Sequence, residues 1–485
     1  MHQSPQSGLY KPLAFFALII CLAGISSVSI AKDFDPVRQP TTNLQYFDPA
    51  GDDYFAGDPM PFYHDGVFHV FWLYDYLHAS LGHDWAHMST TDLIHWQHHP
   101  LAIESPDPAQ ISICTGSAIY HDGTYYAFYA TRTKENGRTE FISYSTSTDG
   151  IHYTEQSPNP LITAPDGYES AHFRDPHLFY DKDSKTFVML ITTAKVKADL
   201  ERNRYCLLGY TSPDLKHWKL AGPFYYSGSD QGFAYPECSD LFKWNDTYYL
   251  LFKINGGTYY RMSESVNGPW VAPQEDNIGS DYALVFKTAE FKNNRRIAVG
   301  FIPTRTPEVD DGTWQYGGNL VFRELVQNPD GTLYAKFVSE MQEPFTKSQP
   351  MPIQSDYEID SVDKFSYISI DDVPVNAHIA CQVEPMGNNS RLGMFLRYSD
   401  NGFYELSIDK NKTEVSLGSQ KISGVHGLDK PFTIEINMTG STIDVCIAGK
   451  RFITNRCYEQ KGKGLYLYVH NGHAKFTDLK IQEIK

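Results

Sequence analysis

The chain runs to 485 residues, with 58 acidic against 41 basic side chains and a formal net charge of −17. That balance excludes a nucleic-acid or anionic-membrane partner, because phosphate binding needs a basic surface. Helix-spaced apolar stripes with caps are absent from Asp33 to Lys485, so the abundant aromatic residues belong to strands.

Taken in order, the first element is a cleavable leader. Lys11 precedes an apolar run from Pro12 to Val28, and Ser29-Ile30-Ala31 supplies small residues for cleavage. The run is short for a spanning helix, so residues 1–31 read as a signal peptide and the mature chain as secreted or periplasmic. No later stretch is apolar enough to cross a bilayer. The six remaining cysteines are scattered without a Cys-x-x-Cys pair, which signals neither a zinc site nor a disulfide framework.

A repeat follows. Gly57-Asp58-Pro59, Arg174-Asp175-Pro176 and Pro236-Glu237-Cys238 each lead into a turn and an aromatic strand, and Thr115-Gly116-Ser117-Ala118 does so without an acid. The starts at 58, 116, 175 and 237 are 58, 59 and 62 residues apart. A second motif runs out of phase with the first: Ser89-Thr90-Thr91-Asp92-Leu93-Ile94-His95-Trp96 recurs around Asp149 and Asp214, and more weakly at Ser263–Trp270. Four short strands in such a unit is the size of a propeller blade. Four blades are plain, and a fifth can be built from residues 280–283, 295–301 and 317–325. The expected fold is all-β, a five-bladed propeller over residues 32–340. A proline-bearing linker over 341–357 and a β-sandwich over 358–485 complete it.

In a propeller the innermost strand of each blade lines the central channel. Asp58, Asp175 and Glu237 therefore converge on one funnel, where mutual repulsion should raise at least one pKa. Such a set suits glycoside hydrolysis: one carboxylate attacks or activates water while another protonates the leaving group. Trp72, Trp85 and Trp314 are candidates for stacking on a sugar. His83 and His87 have i, i+4 spacing without an intervening Glu, so no metal is expected, and no motif calls for a cofactor.

Together these residues resemble glycoside hydrolase family 32, whose fold is a five-bladed propeller followed by a β-sandwich. Arg174-Asp175-Pro176 is similar to its Arg-Asp-Pro motif, and Glu237-Cys238-Ser239-Asp240 to its Glu-Cys-x-Asp motif. Gly116-Ser117-Ala118 and the stretch Trp85–Trp96 are similar to further family segments. The resemblance implies Asp58 as nucleophile, Glu237 as general acid/base and Asp175 as transition-state stabiliser. It implies Arg174, Trp85, Ser117, Trp72, Cys238 and Trp314 at a carbohydrate substrate, β-fructofuranosidic bonds as target, and a retaining mechanism. The first motif departs from the family: Gly57-Asp58-Pro59-Met60-Pro61 stands for Asn-Asp-Pro-Asn-Gly, and Leu73 for a glutamine. An inverting arabinofuranosidase or xylosidase similar to family 43, or a silent carbohydrate-binding propeller, are the alternative readings.

Overall fold

The computed structural model describes residues 44–49, 54–76, 82–134, 138–229, 232–280, 282–387 and 391–484. The leader read over residues 1–31 lies outside them. Among the described residues no helix is long and apolar enough to cross a membrane.

The chain is a five-bladed β-propeller followed by a C-terminal β-sandwich. The innermost strands are Tyr54–His64, Ile111–His121, Arg174–Asp181, Glu237–Trp244 and Leu284–Phe291, and each pairs with the next strand of its own blade. Every one carries the same irregularity. Gly57 faces Leu73 but Met60 faces Phe71, so Asp58 and Pro59 share one partner residue. Equivalent two-against-one bulges fall at Cys114-Thr115, Asp175-Pro176, Cys238-Ser239 and Val285-Phe286. A bulge bends the strand and re-aims its side chains. Here it turns residues at the narrow end of each blade toward the axis. Asp58, Asp175, Cys238 and Val285 all sit at positive φ, between 35° and 58°.

This register corrects the equivalence read from the motifs. The residue matching Asp58 and Asp175 is Cys238, and Glu237 stands one place earlier, opposite Lys253, where Arg174 stands opposite Thr192. A bulge adds a residue that no hydrophobic pattern records, so acid spacing alone was one residue out.

The out-of-phase motif is a turn that closes on its own side chains. The Oδ1 of Asp92 accepts the amides of Ile94 and His95 at 2.8 and 2.7 Å, and its Oδ2 meets His95 Nδ1 at 2.7 Å. Asp149 and Asp214 repeat the pattern with His152 and His217. An aspartate can bond the backbone two residues on, so the motif specifies the tight link between two outer strands.

The fifth blade and the first form one sheet. The strand Thr313–Gln327 pairs with Arg295–Thr306 on one side, and its Gly318 meets Ala56 on the other. Between propeller and sandwich runs one short helix, Ser339–Thr346. It contains Pro344 and no side chain caps its N-terminus, which is why its sequence carries no helix signal. In the sandwich, the 20-residue strand Gly464–Glu483 pairs with Arg391–Ser399 along its first part and Ala377–Met386 along its second. One strand therefore serves both halves of that core.

A buried ion pair joins the two parts. Arg323 of the fifth blade donates to Asp444 of the sandwich at 2.8 Å and lies 3.7 Å over the Phe452 ring. Asp444 also accepts from Tyr46 at 2.7 Å and Thr454 at 2.8 Å, so its charge is shared among three donors. Removing one member of such a pair strands a charge in low dielectric. Asp444→Ala should therefore destabilise the protein by about 3–5 kcal/mol, read as a lower urea midpoint. Replacing both partners together by apolar residues should cost markedly less.

Candidate active site

The five bulges surround a cavity of about 570 Å³ whose wall includes Asp58, Asp175 and Glu237. Cys238 stands between the two aspartates. Its backbone N–H donates to Asp175 Oδ2 at 3.0 Å, and its thiol lies 3.6 Å from that oxygen and 3.8 Å from Asp58 Oδ2. Thr115, from the bulge of the acid-free blade, donates its hydroxyl to Asp58 Oδ2 at 2.6 Å. Thr115 was missed at sequence level because that blade carries no acid, although it occupies the matching bulge.

Arg174 is the hub of the opposite wall. It donates to Glu237 Oε1 at 2.7 Å and to Glu140 Oε2 at 3.2 Å, and its Nε lies 3.9 Å from Asp175 Oδ2. Glu140 is wholly buried and also holds Arg132 at 2.8 Å and Arg138 at 2.6 Å. Three guanidinium groups on one carboxylate leave surplus positive charge facing the pocket. Lys253, directly opposite Glu237 in the ladder, donates to Glu237 Oε2 at 2.7 Å. Neither Glu140 nor Lys253 belongs to a recognisable motif, since only tertiary pairing brings them to the site.

These contacts divide the acids into two kinds. Burial lifts the Asp58 pKa above its ordinary value, against the pull of the Thr115 hydroxyl, and the charge of Glu237 adds to the rise. Burial likewise lifts Asp175, and the negative charges of Glu237 and Asp58 offset the help of Arg174, leaving it at about 6. Glu237 goes the other way. Burial favours its neutral form, but Lys253 and Arg174 outweigh burial and hold it below its usual value. His83, on the pocket wall, bridges Asp75 at 2.9 Å; that bridge overcomes burial and lifts it to about 9, so it is a cation at neutral pH.

The other residues read as substrate contacts fall into two groups. Trp314 lines the cavity and is 46% exposed, and Cys238 lines it as described. Trp72, Trp85 and Ser117 lie outside the cavity wall, in the packing behind it. Trp72 is the residue that faces the first bulge, is 1% exposed and meets Phe47 edge-on. Trp85 is fully buried and donates its indole N–H to the Cys114 carbonyl at 2.9 Å. Ser117 clips two blades together, accepting from the Leu178 amide at 2.9 Å and donating to the Pro176 carbonyl at 3.1 Å. All three sit on interior faces of strands, where a large ring or a hydroxyl is consumed by packing before any sugar arrives. His87, away from the cavity, meets His69 at 3.0 Å, and its ring centre lies 4.4 Å from that of His99, tilted to it, in a buried row.

The raised Asp175 pKa has a consequence for stability. Between the unfolded value near 4 and the folded value near 6, the folded chain binds more protons, so stability falls as pH rises through that window. Asp175→Asn should relieve the buried charge. It should raise stability above pH 6 by about 1–3 kcal/mol, with little change at pH 4, in urea melts at the two pH values.

Comparison with known proteins follows the same architecture. Residues 51–347 match the family model described as "Glycosyl hydrolases family 32 N-terminal domain". The raffinose invertase of Escherichia coli is 26% identical over 86% of this chain and 90% of its own length. The extracellular exo-inulinase of Aspergillus awamori is 24% identical over 64% of this chain and 63% of its own. The solved exo-inulinase from that fungus superposes with a TM-score of 0.71 at 18% identity, over 92% of this chain and 99% of that one. A β-fructofuranosidase of Bombyx mori does so with a TM-score of 0.68 at 18% identity, over 93% and 95%.

Proposed function

The chain belongs to glycosyl hydrolase family 32 and is a glycoside hydrolase, and from that premise we propose that it cleaves β-fructofuranosidic bonds with retention of configuration. The observation that carries the reading is the convergence of Asp58, Asp175 and Glu237 on one cavity, bridged by Cys238 and Arg174. Fructan 1-exohydrolase of Cichorium intybus has been solved with 1-kestose, and the Bombyx mori β-fructofuranosidase with sucrose, which supports a fructosyl substrate. Fructans and fructo-oligosaccharides are the proposed natural targets. The leader sequence and the extracellular inulinase among the relatives support export.

In this mechanism the Asp58 carboxylate attacks the anomeric carbon while the bond to the leaving oxygen breaks, and Glu237 protonates that oxygen. Water then attacks the glycosyl-Asp58 ester, Glu237 takes its proton, and Asp58 is released. Thr115 holds one oxygen of Asp58 and leaves the other for attack. Asp175, beside Arg174, holds sugar hydroxyls and balances the positive charge that develops on the ring.

Glu237 must carry a proton when the bond breaks, yet Lys253 and Arg174 hold it ionised in the free protein. A sugar entering between Glu237 and Lys253 weakens one ion pair and excludes water, and both changes raise the pKa of Glu237. Lys253 therefore tunes the acid. Lys253→Met should raise the Glu237 pKa and move the limb of the kcat/KM profile that reports it upward by about one pH unit. An unmoved limb in a folded variant would exclude that role.

Asp58→Asn and Glu237→Gln should each lower turnover of sucrose or 1-kestose by at least about a thousandfold, with melting temperature preserved. Wild-type rates in either variant would sink the assignment. NMR of the first-formed fructose should show the β anomer; the α anomer would mark an inverting enzyme instead.

A further inference from the structure

Beside Asp58 the pocket is built in an unusual way. The two positions that flank the acid across the ladder, 57 and 73, are Gly57 and Leu73, directly opposite each other. Neither offers a hydrogen bond. The space a side chain at 57 would need is taken by Tyr316. A Cβ placed on Gly57 would lie 2.7 Å from Cε1 of that ring, and closer still to Cζ and Oη. Real Cβ atoms do not approach so near, so glycine at 57 and tyrosine at 316 are complementary.

Tyr316 reaches this place through a bulge of its own. Thr304 faces Gln315 and Pro303 faces Gly318, so Tyr316 and Gly317 stand unmatched, with Gly317 at φ 83°. Gly318 in turn pairs with Ala56, next to Gly57. The same closure of the fifth blade on the first therefore delivers the phenol ring to the nucleophile. Phe301 backs the ring at 5.4 Å, edge to face, and His83 lies 5.4 Å away on another side. Leu73, Leu284, Val285 and Phe301 line the cavity with apolar groups beside the His83 cation, and Arg174, Glu237 and Lys253 line it with further charge.

The groups packed next to a nucleophile meet the substituents on the carbon it attacks. In a β-D-fructofuranoside that carbon bears an exocyclic hydroxymethyl group. In a β-D-arabinofuranoside it bears only hydrogen, and the remaining ring centres have the same configuration. A hydroxymethyl in that place is crowded by Tyr316, which already fills the space beside Gly57, and Leu73 returns none of the hydrogen bonds it had with water.

We propose that Tyr316 is a specificity-determining residue that disfavours a hydroxymethyl on the anomeric carbon, so that this enzyme also hydrolyses β-D-arabinofuranosides. The proposal rests on the furanosidase reading above and uses the same chemistry. Asp58 forms a C–O bond to the anomeric carbon as the aglycone leaves with the bonding pair, and water then releases the sugar from Asp58.

The test compares 4-nitrophenyl β-D-arabinofuranoside with 4-nitrophenyl β-D-fructofuranoside, in the wild type, Tyr316→Ala and Tyr316→Leu. The paired variants guard against one failing to fold, and thermal melts establish that each is native. The wild type should release nitrophenol from the arabinofuranoside. Either folded variant should shift the ratio of kcat/KM toward the fructofuranoside by about tenfold or more, mainly through KM. A ratio that stays within about twofold overturns the proposal, as does a wild type active on the fructofuranoside alone. Cleavage of the arabinofuranoside alone would uphold the proposal while removing the fructosidase reading. Inactivity on both would remove both.

Discussion

In all five blades the innermost strand sets two residues against one, and the local chemistry of this protein depends on that irregularity. A regular strand sends successive side chains to opposite faces, so Arg174 and Asp175 could not both serve one cavity from a straight ladder. The bulge lets them, and it lets Glu237 and Cys238 do the same one blade later. Its cost is a non-glycine residue at positive φ in four blades. That strain is met by the pairing on either side and, at Asp175, by a hydrogen bond from the Cys238 amide.

The acids gathered in this way are then made unequal by their neighbours. Carboxylates this close cannot all ionise freely in a desolvated space. Two of them, Asp58 and Asp175, meet mostly burial and like charge. Glu237 faces two cations that overrule burial. One of these, Arg174, is itself anchored by Glu140, a buried carboxylate that also holds two further arginines. The electrostatics of the site thus reach behind the cavity wall, to a carboxylate of the neighbouring blade that does not line the cavity. A free enzyme whose acid/base group is held ionised by two cations, and whose nucleophile has its pKa raised by burial, is set for binding first, with substrate entry rearranging the protons.

The sandwich contributes through the fifth blade. Arg323 and Asp444 tie that blade to it, and Arg456 donates to the carbonyls of Ile302 and Pro303 at 3.0 Å. The strand held there is the one that faces Tyr316 and Gly317 across their bulge. Packing far from the cavity therefore bears on the wall beside Asp58.

Much of this was legible in the chain itself. The Asp-His turns repeat because an aspartate at a fixed place satisfies two backbone amides, a local interaction written in a few adjacent letters. Alternating aromatic strands with regular turns leave few architectures other than a propeller, and the Arg-Asp-Pro and Glu-Cys-x-Asp motifs mark two walls of the site. What the letters did not carry was whatever depends on pairing between distant strands. The bulges shifted Glu237 out of step with Asp58. Burial removed Trp72, Trp85 and Ser117 from the cavity. Lys253, Thr115 and Tyr316 joined it because ladder register and blade closure placed them there, and Glu140 anchors Arg174 from behind its wall. The sequence by itself determined the blades, their turns and the acids. Only the tertiary structure decided which charges face those acids, because charge and burial act through space and are indifferent to separation along the chain.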